Sequence, residues 1–278
     1  MIAAIVFSKD RAAQLDLLLR SIEKNCPHFF EVCILYDYSD EEFKRGYSLA
    51  QEKYPSHERY HWVDQSDFQK DLENLVDRSN PYICFFTDDD IVYRESELRR
   101  HNINDIFTAF EDLCCISMRL GKNISIQDQY TDEKCIPPME VVKFDDVALW
   151  NWKRVGTGIS NFFYPFSVDG HVYRRSDIKT LFSKLEYNDP NELEGRAFLH
   201  AYSLPPLMGC FDTSSVVNTP INLCGPSTKN RAGERFGITL KELNNDYLNN
   251  RVINLENIDF SDIKGCHQEL KMEMTDAS

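Results

Sequence analysis

Short apolar runs alternate with amphipathic segments in the first third of the chain. Nearly continuous apolar runs cover residues 2–7, 31–36, 60–63 and 82–86, as expected for strands that are buried on both faces. Between these runs, apolar residues recur every three or four positions, which predicts helices that pack one face against a sheet. The predicted order β-α-β-α-β-α-β indicates an α/β fold with a parallel sheet and right-handed crossovers.

The predicted helices also have recognisable faces and ends. The first helix carries Leu15, Leu18 and Ile22 on one side, the spacing of an amphipathic helix. Either Ser39 or Asp40 is suited to cap the second helix, because both side chains accept hydrogen bonds from free backbone N–H groups.

The pattern after residue 91 is less regular. We predict helices over residues 104–110, 189–202 and 239–249, and strands over residues 114–119, 170–175 and 215–223. We expect one domain over residues 1–262, with residues 1–100 as one half and residues 101–262 as the other. Residues 263–278 are polar, and we predict that this tail frays.

Polar residues follow three of the predicted strands. They occupy residues 8–11, 37–39 and 88–90, and in an open parallel sheet the carboxyl ends of the strands line a ligand-binding crevice. The last group is three consecutive carboxylates, Asp88, Asp89 and Asp90. Such neighbours repel one another, so the arrangement favours a divalent cation or a cationic ligand. A solvated acidic turn is the alternative.

Composition restricts the kinds of partner and compartment. The formal charge of −14 argues against a nucleic acid or an anionic lipid surface as the main partner. The N-terminal residues lack the basic leader and cleavage site of a signal peptide, and no apolar stretch is long enough to span a membrane; peripheral membrane association stays open. Nine cysteines without a CxxC pair indicate free thiols in a reducing cytoplasm.

An N-terminal half of this kind, ending in Thr87-Asp88-Asp89-Asp90, resembles the GT-A glycosyltransferases, most nearly their family 2-like group. The resemblance rests on the residues after the first strand, on Asp37 and Ser39 after the second, and on the triplet as a DXD-type motif. It implies a Rossmann-like mostly parallel sheet followed by an irregular acceptor-binding half. It also implies transfer of a sugar from a UDP-, GDP- or CDP-linked donor to a glycan or a lipid-linked acceptor.

The resemblance further implies a Mn²⁺ or Mg²⁺ ion on the donor diphosphate. Asp90 is the leading metal ligand, and Asp88 would contact the ribose, the metal or its bound water. The cation would neutralise the charge that develops on the leaving diphosphate.

The resemblance assigns other residues to the donor. The base and ribose would be held by Phe7, Ser8, Lys9, Asp10 and Arg11 after the first strand and by Asp37 and Ser39 after the second. Turn formation and helix capping are the alternatives for Asp10 and Asp37.

Two more features are donor-site candidates. The basic loop that contains Lys229, Arg231 and Arg235 is interpreted as a lid over the diphosphate, with solvated charge as the alternative. His171 is a candidate contact of the donor sugar or the metal, although a single histidine is more often structural. Trp150 and Trp152 either stack on a sugar or pack in the core.

An inverting transfer needs a base that deprotonates the attacking hydroxyl. Glu194, Glu192 and Asp189 are the candidates. However, Asn191-x-x-Glu194 also fits a capping box, in which Glu194 would bond to the helix backbone.

Other classes of protein also use acids at strand ends. Asp88-x-Asp90-x-Val92 matches the nucleophile motif of haloacid dehalogenase-like phosphatases, although that motif normally follows the first strand of its domain. Nucleotidyltransferases need a Gly-rich loop after the first strand, and residues 8–11 contain no glycine. A non-catalytic protein that binds sugar nucleotides is the third alternative.

Overall fold

A computed structural model describes residues 1–57, 59–128, 133–135, 138, 141–144, 146–155, 161–224 and 231–277. Its first half has the predicted alternation of strands and helices. The elements are β1 (Ile2–Lys9), α1 (Ala12–Asn25), β2 (Phe29–Asp37), α2 (Glu41–Lys53), β3 (Tyr60–Asp64), α3 (Phe68–Arg78) and β4 (Tyr82–Thr87).

The second half has shorter elements, several of which leave the main sheet. They are β5 (Asp90–Val92), α4 (Ile103–Ala109), β6 (Leu113–Ser117), β7 (Ile126–Asp128), β8 (Glu133–Lys134), β9 (Val142–Phe144), β10 (Val147–Asn151), β11 (His171–Arg174), α5 (Arg175–Phe182), α6 (Pro190–His200), β12 (Leu207–Cys210), β13 (Val216–Asn218), α7 (Leu240–Leu248), β14 (Arg251–Ile253) and β15 (Met274–Asp276). Short 3-10 helices cover Glu97–Arg100, Trp152–Arg154, Asn161–Phe163, Ala201–Ser203 and Leu255–Asn257.

The main sheet has nine strands in the order β3-β2-β1-β4-β11-β6-β12-β10-β9. Strands β3, β2, β1 and β4 pair in parallel. Only β11 and β10 run against the direction of the other seven, because each pairs antiparallel with both of its neighbours. The predicted α/β class with a mainly parallel sheet flanked by helices is confirmed. The reversed strand β11 presents its first residues at the carboxyl edge of the parallel strands.

Local sequence explains the helix starts. Asp40 accepts hydrogen bonds from the N–H groups of Glu42 and Phe43 and is the cap of α2, so of the two predicted caps the structure selects Asp40 over Ser39. Thr239 and Glu242 form a reciprocal capping box at the start of α7.

The strand predicted over residues 215–223 is shorter in the structure. It ends at Asn218 and pairs with β5 outside the main sheet. Pro220 follows two residues later and has no N–H to donate to a strand ladder.

The prediction of a frayed C-terminal tail is wrong. Within residues 263–277, Ile263, Cys266, Leu270 and Met272 are buried, and β15 pairs antiparallel with β14. Long-range apolar contacts fix a segment that has little local pattern.

The core supports the structural interpretations of Cys and Trp. Eight of the nine cysteines are buried, and all nine are free thiols. Trp150 and Trp152 are also buried, and their indole N–H groups donate to the carbonyls of Phe162 and Pro205. Core packing is therefore confirmed over sugar stacking. Within the described residues, no helix is both long and apolar enough to cross a membrane.

Candidate functional site

The three polar strand ends meet at the carboxyl edge of the sheet, as predicted. The parallel registers place Lys9 beside Asp37 and Phe7 beside Thr87. The backbone N–H of Asp88 donates to the carbonyl of Phe7 at 3.0 Å, and the N–H of Lys9 donates to Asp88 Oδ2 at 3.0 Å. The triplet is therefore bonded directly to the residues that follow β1.

Asp10 links the ends of β1 and β2. Its N–H donates to the carbonyl of Asp37 at 3.2 Å, and its Oδ1 accepts from the N–H of Ser39 at 2.7 Å. The φ angle of Asp10 is 56°, a left-handed conformation that short polar side chains adopt more readily than others. Turn formation therefore accounts for these contacts of Asp10, and the turn presents Lys9, whose Nζ lies 2.5 Å from Asp37 Oδ2.

Arg11 neutralises the first two acids of the triplet. Its Nη1 lies 2.9 Å from both Asp88 Oδ1 and Asp89 Oδ2, and all three side chains are about nine-tenths buried or more. Burial raises the pKa of Asp88 to about 6, and the neighbouring charge of Asp89 adds to this against the opposing effect of Arg11. The triplet is consequently a buried ion-pair network and differs from a solvated acidic turn.

Asp90 is the most deeply buried of the three acids. It has no exposed surface, and its oxygens accept from the N–H of Thr87 at 2.9 Å and from Asn218 Nδ2 at 3.2 Å. Asn218 Nδ2 also donates to Asp89 Oδ1 at 2.8 Å. Burial, with the charges of Asp169 and Asp89, raises the pKa of Asp90 well above its usual value.

Asp169, Arg119 and His267 extend the acidic cluster. Asp169 Oδ1 accepts from Thr87 Oγ1 at 3.1 Å, and its Oδ2 lies 2.9 Å from Arg119 Nη1 and 3.2 Å from His267 Nε2. Although burial opposes ionisation of Asp169, the hydrogen bond from His267 and the charge of Arg119 lower its pKa to about 2. Asp169 therefore carries a stable negative charge beside the triplet.

Sequence reasoning missed these three residues as site candidates. Asp169 precedes β11, and only the reversed direction of that strand brings it to the carboxyl edge. His267 lies in the segment that we expected to fray. A usable signal for Asp169 was the Asp-Gly pair before a strand, since Gly170 has a φ of 66°, a left-handed conformation that favours glycine.

Of the three candidate bases, only Glu194 joins the cluster. Its Oε1 accepts from the N–H of Val168 at 2.9 Å. Burial and the charge of Asp169 raise the pKa of Glu194, against the effect of Arg119. The capping box Asn191-x-x-Glu194 is not formed, because the N-cap of α6 is Asp189, two residues before Asn191.

Asp189 and Glu192 have structural contacts at the start of α6. Asp189 is the N-cap and accepts from the N–H of Glu192 at 2.8 Å. The carboxylate of Glu192 bonds to Asn188 and pairs with Arg196. Within the described residues, neither carboxylate contacts the acidic cluster. Asp189 caps α6, and Glu192 stabilises its first turns.

The side chains of three further candidates point into the protein interior. Phe7 is buried and stacks with Phe85 at 5.9 Å. Ser8 Oγ bonds to Tyr47 Oη at 2.7 Å. His171 is fully buried, its Nδ1 lies 3.1 Å from Tyr173 Oη, and burial and Arg119 lower its pKa well below the usual value. These contacts are typical of structural residues.

The described part of the predicted lid is anchored. Arg231 pairs with Glu234 at 2.8 Å, and the backbone N–H of Arg235 donates to Glu269 Oε2 at 2.9 Å. The mobile-lid interpretation of Arg231 and Arg235 is therefore not supported by their contacts. Lys229 lies outside the described residues.

Hard oxygen donors suit Mn²⁺ or Mg²⁺, and the triplet supplies them. The geometry is less open than the sequence suggested, because Arg11 bonds to Asp88 and Asp89 while Asp90 is covered. No group of three or more His, Cys, Asp or Glu residues in the described ranges is arranged to hold a metal ion. The carboxylate oxygens of the triplet suit such an ion when oxygen atoms of a substrate and of water complete its coordination shell.

Comparison with known proteins identifies a relative. No family model matches the chain. The bifunctional glycosyltransferase pgtA of Dictyostelium discoideum is 28% identical over 219 residues, which cover 69% of the chain and 27% of pgtA. The chain is similar to a glycosyltransferase. This confirms the predicted resemblance to that class of enzyme, while the chain corresponds to about a quarter of the length of its relative.

Two solved structures align with about three quarters of the chain. TarS of S. aureus in complex with UDP has 14% identity and a TM-score of 0.46, with 78% of this chain and 60% of that chain covered. The mannosyltransferase PcManGT of Pyrobaculum calidifontis, in complex with GDP-Man and Mn²⁺, has 10% identity and a TM-score of 0.43, with 77% and 54% covered.

Proposed function

We propose that the chain is a metal-dependent glycosyltransferase that moves a sugar from a UDP-, GDP- or CDP-linked donor to a glycan or lipid-linked acceptor. The observation that carries the proposal is the convergence of Lys9, Arg11, Asp37 and the triplet at one sheet edge, with Asp169 and Glu194 beside them. The similarity to pgtA supports the class of reaction.

The donor would lie across the ends of β1, β2 and β4. Asp37 can accept hydrogen bonds from ribose hydroxyls, since its carboxylate is partly exposed beside Lys9. Arg11 presents a planar fork of N–H groups, which suits a phosphate as well as a carboxylate. Backbone turns at Asp10 and Ser39 fix the positions of these groups.

Asp88 and Asp90 would hold the Mn²⁺ or Mg²⁺ ion. When bound, the ion supplies charge stabilisation for the diphosphate as it leaves. Asn218 and Thr87 fix the orientation of Asp90 through their hydrogen bonds.

Glu194 is the proposed base of an inverting transfer. Its raised pKa makes the carboxylate a better proton acceptor near neutral pH than an ordinary Glu. Glu194→Gln should retain donor binding and lower turnover by about 10² or more. Asp189→Asn is the comparison, because Asp189 caps the same helix. A larger loss of turnover in Asp189→Asn than in Glu194→Gln would move the role of base to Asp189.

A donor screen by thermal shift tests the function. Wild-type protein should be stabilised by UDP-, GDP- or CDP-linked sugars in the presence of Mn²⁺ or Mg²⁺, and Asp90→Ala should abolish the metal-dependent part. Metal-independent stabilisation by the donors would contradict metal dependence, and no stabilisation by any donor would contradict donor binding.

Donor binding without any transfer would favour a non-catalytic protein. Release of phosphate from simple monoesters, lost in Asp88→Asn, would favour a phosphatase, although Asp88 is buried in its pair with Arg11.

A further inference from the structure

The side chain of Arg11 is held in a fixed position by Asn222. Its Nε donates to Asn222 Oδ1 at 2.8 Å, and its Nη2 donates to the carbonyl of Asn222 at 2.6 Å. Asn222 is itself fixed, because its Nδ2 donates to Gln14 Oε1 and to the carbonyl of Ile238, both at 3.1 Å. The remaining face of the guanidinium is directed at Asp88 and Asp89.

These contacts make Arg11 different from Lys9, the other cation at the end of β1. The side chain of Lys9 is 51% exposed and pairs with Asp37, while that of Arg11 is 9% exposed and bridges two acids of the triplet. A buried ion pair of this kind resists loss of either partner, because the remaining charge would be uncompensated.

The Arg11 guanidinium therefore already provides the positive charge that the sequence led us to expect from a metal. A divalent ion on Asp88 would face this fixed cation in a poorly solvated site, where like charges repel strongly. The two cations become compatible if a diphosphate lies between them, since its oxygens bind a metal ion and a guanidinium together.

We propose that Arg11 is the resident counter-cation of the triplet and that a divalent ion binds Asp88 with high affinity only together with a nucleoside diphosphate, to which Arg11 then transfers its hydrogen bonds. This inference rests on the proposed function for its nucleotide. Because such coupling is reciprocal, the diphosphate and the ion raise each other's affinity by the same factor, typically about 5–150-fold.

Calorimetric titration of Mn²⁺ alone, without any nucleotide, isolates the role of Arg11. Wild-type protein should bind Mn²⁺ weakly, and Arg11→Gln should bind it about tenfold or more tightly because Asp88 and Asp89 lose their counter-cation. Lys24→Met is the matched control: it also removes one positive charge, but the Lys24 side chain is 52% exposed and pairs with Glu256 at the surface. Its affinity for Mn²⁺ should equal that of the wild type.

A second titration adds saturating UDP, GDP or CDP. The affinity of wild-type protein for Mn²⁺ should rise with one of the nucleotides, and the rise should be smaller in Arg11→Gln. If Arg11→Gln does not fold, Arg11→Lys provides the same comparison, because it keeps the charge but loses the bridge to two carboxylates. We expect Arg11→Lys to bind Mn²⁺ alone more tightly than wild type, because one of the two bridged carboxylates loses its hydrogen bond, but less tightly than Arg11→Gln, because the positive charge remains.

Equal affinities for Mn²⁺ alone in the wild type and the Arg11 variants would overturn the inference. Weaker binding in the variants would also overturn it, since Arg11 would then organise the acids for the metal. If no nucleotide binds but Arg11→Gln still gains affinity for Mn²⁺, the proposed function fails while the role of Arg11 as counter-cation stands.

Discussion

Glu269 anchors a chain segment to the C-terminal region, and its removal tests how far that region stabilises the fold. Its carboxylate is 3% exposed and accepts four consecutive backbone N–H groups, from Gly233, Glu234, Arg235 and Phe236, at 2.9–3.1 Å. Successive N–H groups that converge in this way form an anion-binding concavity. In this protein the anion is a side chain from the segment that we expected to be frayed.

The substitution Glu269→Gln replaces one acceptor oxygen by an N–H₂ group, so two of the four N–H groups lose their partner. A hydrogen bond to a charged group contributes about 1.5–3 kcal/mol, which gives an upper bound of about 3–6 kcal/mol for two such bonds. Residues 234–236 are exposed, so water can reach the freed groups and reduces the expected loss to about 2–3 kcal/mol. For a chain of this size, the melting temperature should fall by about 3–5 °C.

Thermal unfolding followed by circular dichroism, with urea unfolding as a second measure, checks this magnitude. Glu256→Gln is the control, because the Glu256 side chain is 72% exposed and pairs with Lys24 at the surface. The control should change the free energy of unfolding by about 0.5 kcal/mol or less. Equal melting temperatures for Glu269→Gln and Glu256→Gln would refute the reasoning, since the segment could then detach without cost to the rest of the protein.

Two further predictions concern backbone strain and a partly buried histidine. Gly170→Ala should destabilise the protein by about 1–2 kcal/mol because of the left-handed φ at this position. Gly195→Ala in α6, where no atom lies within 4 Å of the added Cβ, should instead stabilise it by about 0.5–1 kcal/mol. Urea unfolding measures both changes in the free energy of unfolding, and equal changes would contradict the backbone argument. Burial and the charge of Arg99 lower the pKa of His28 from 6.5 to about 4, so the unfolded state takes up the proton first and stability should fall as the pH decreases from about 6.5 to 4. In His28→Gln this fall should be smaller by about 1–3 kcal/mol, and the same pH dependence in wild type and variant would exclude His28 as its source.

The parts of the fold that could be predicted have a strong local signal. The run that became β4 (Tyr82–Thr87) is apolar on both faces, since parallel strands inside an α/β sheet are covered on both sides. The position of the triplet at its end follows directly. The amphipathic helices were predictable for the same reason, because one face of each must meet the sheet.

The rest depends on contacts between distant parts of the chain. The direction of β11 is set by its pairing with β4 and β6, and no local pattern distinguishes a reversed strand from a parallel one. Asp169 therefore looked like an ordinary turn residue. The segment around His267 has little local pattern, and it is fixed by its buried apolar side chains and by hydrogen bonds with Asn218 and Thr219.

The charges of the complete cluster give a second reason for a cation, beside the repulsion within the triplet. Five carboxylates, those of Asp88, Asp89, Asp90, Asp169 and Glu194, are joined by contacts or electrostatic interactions, and two guanidinium groups, those of Arg11 and Arg119, lie among them. Burial raises the pKa values of Asp90 and Glu194, and the neighbouring charge of Asp169 raises them further. A diphosphate would add further negative charge, so its binding requires a positive charge from solution, as protons on these acids or as a metal ion. Because the ion also bonds to the diphosphate, we expect it to be favoured over protonation at neutral pH.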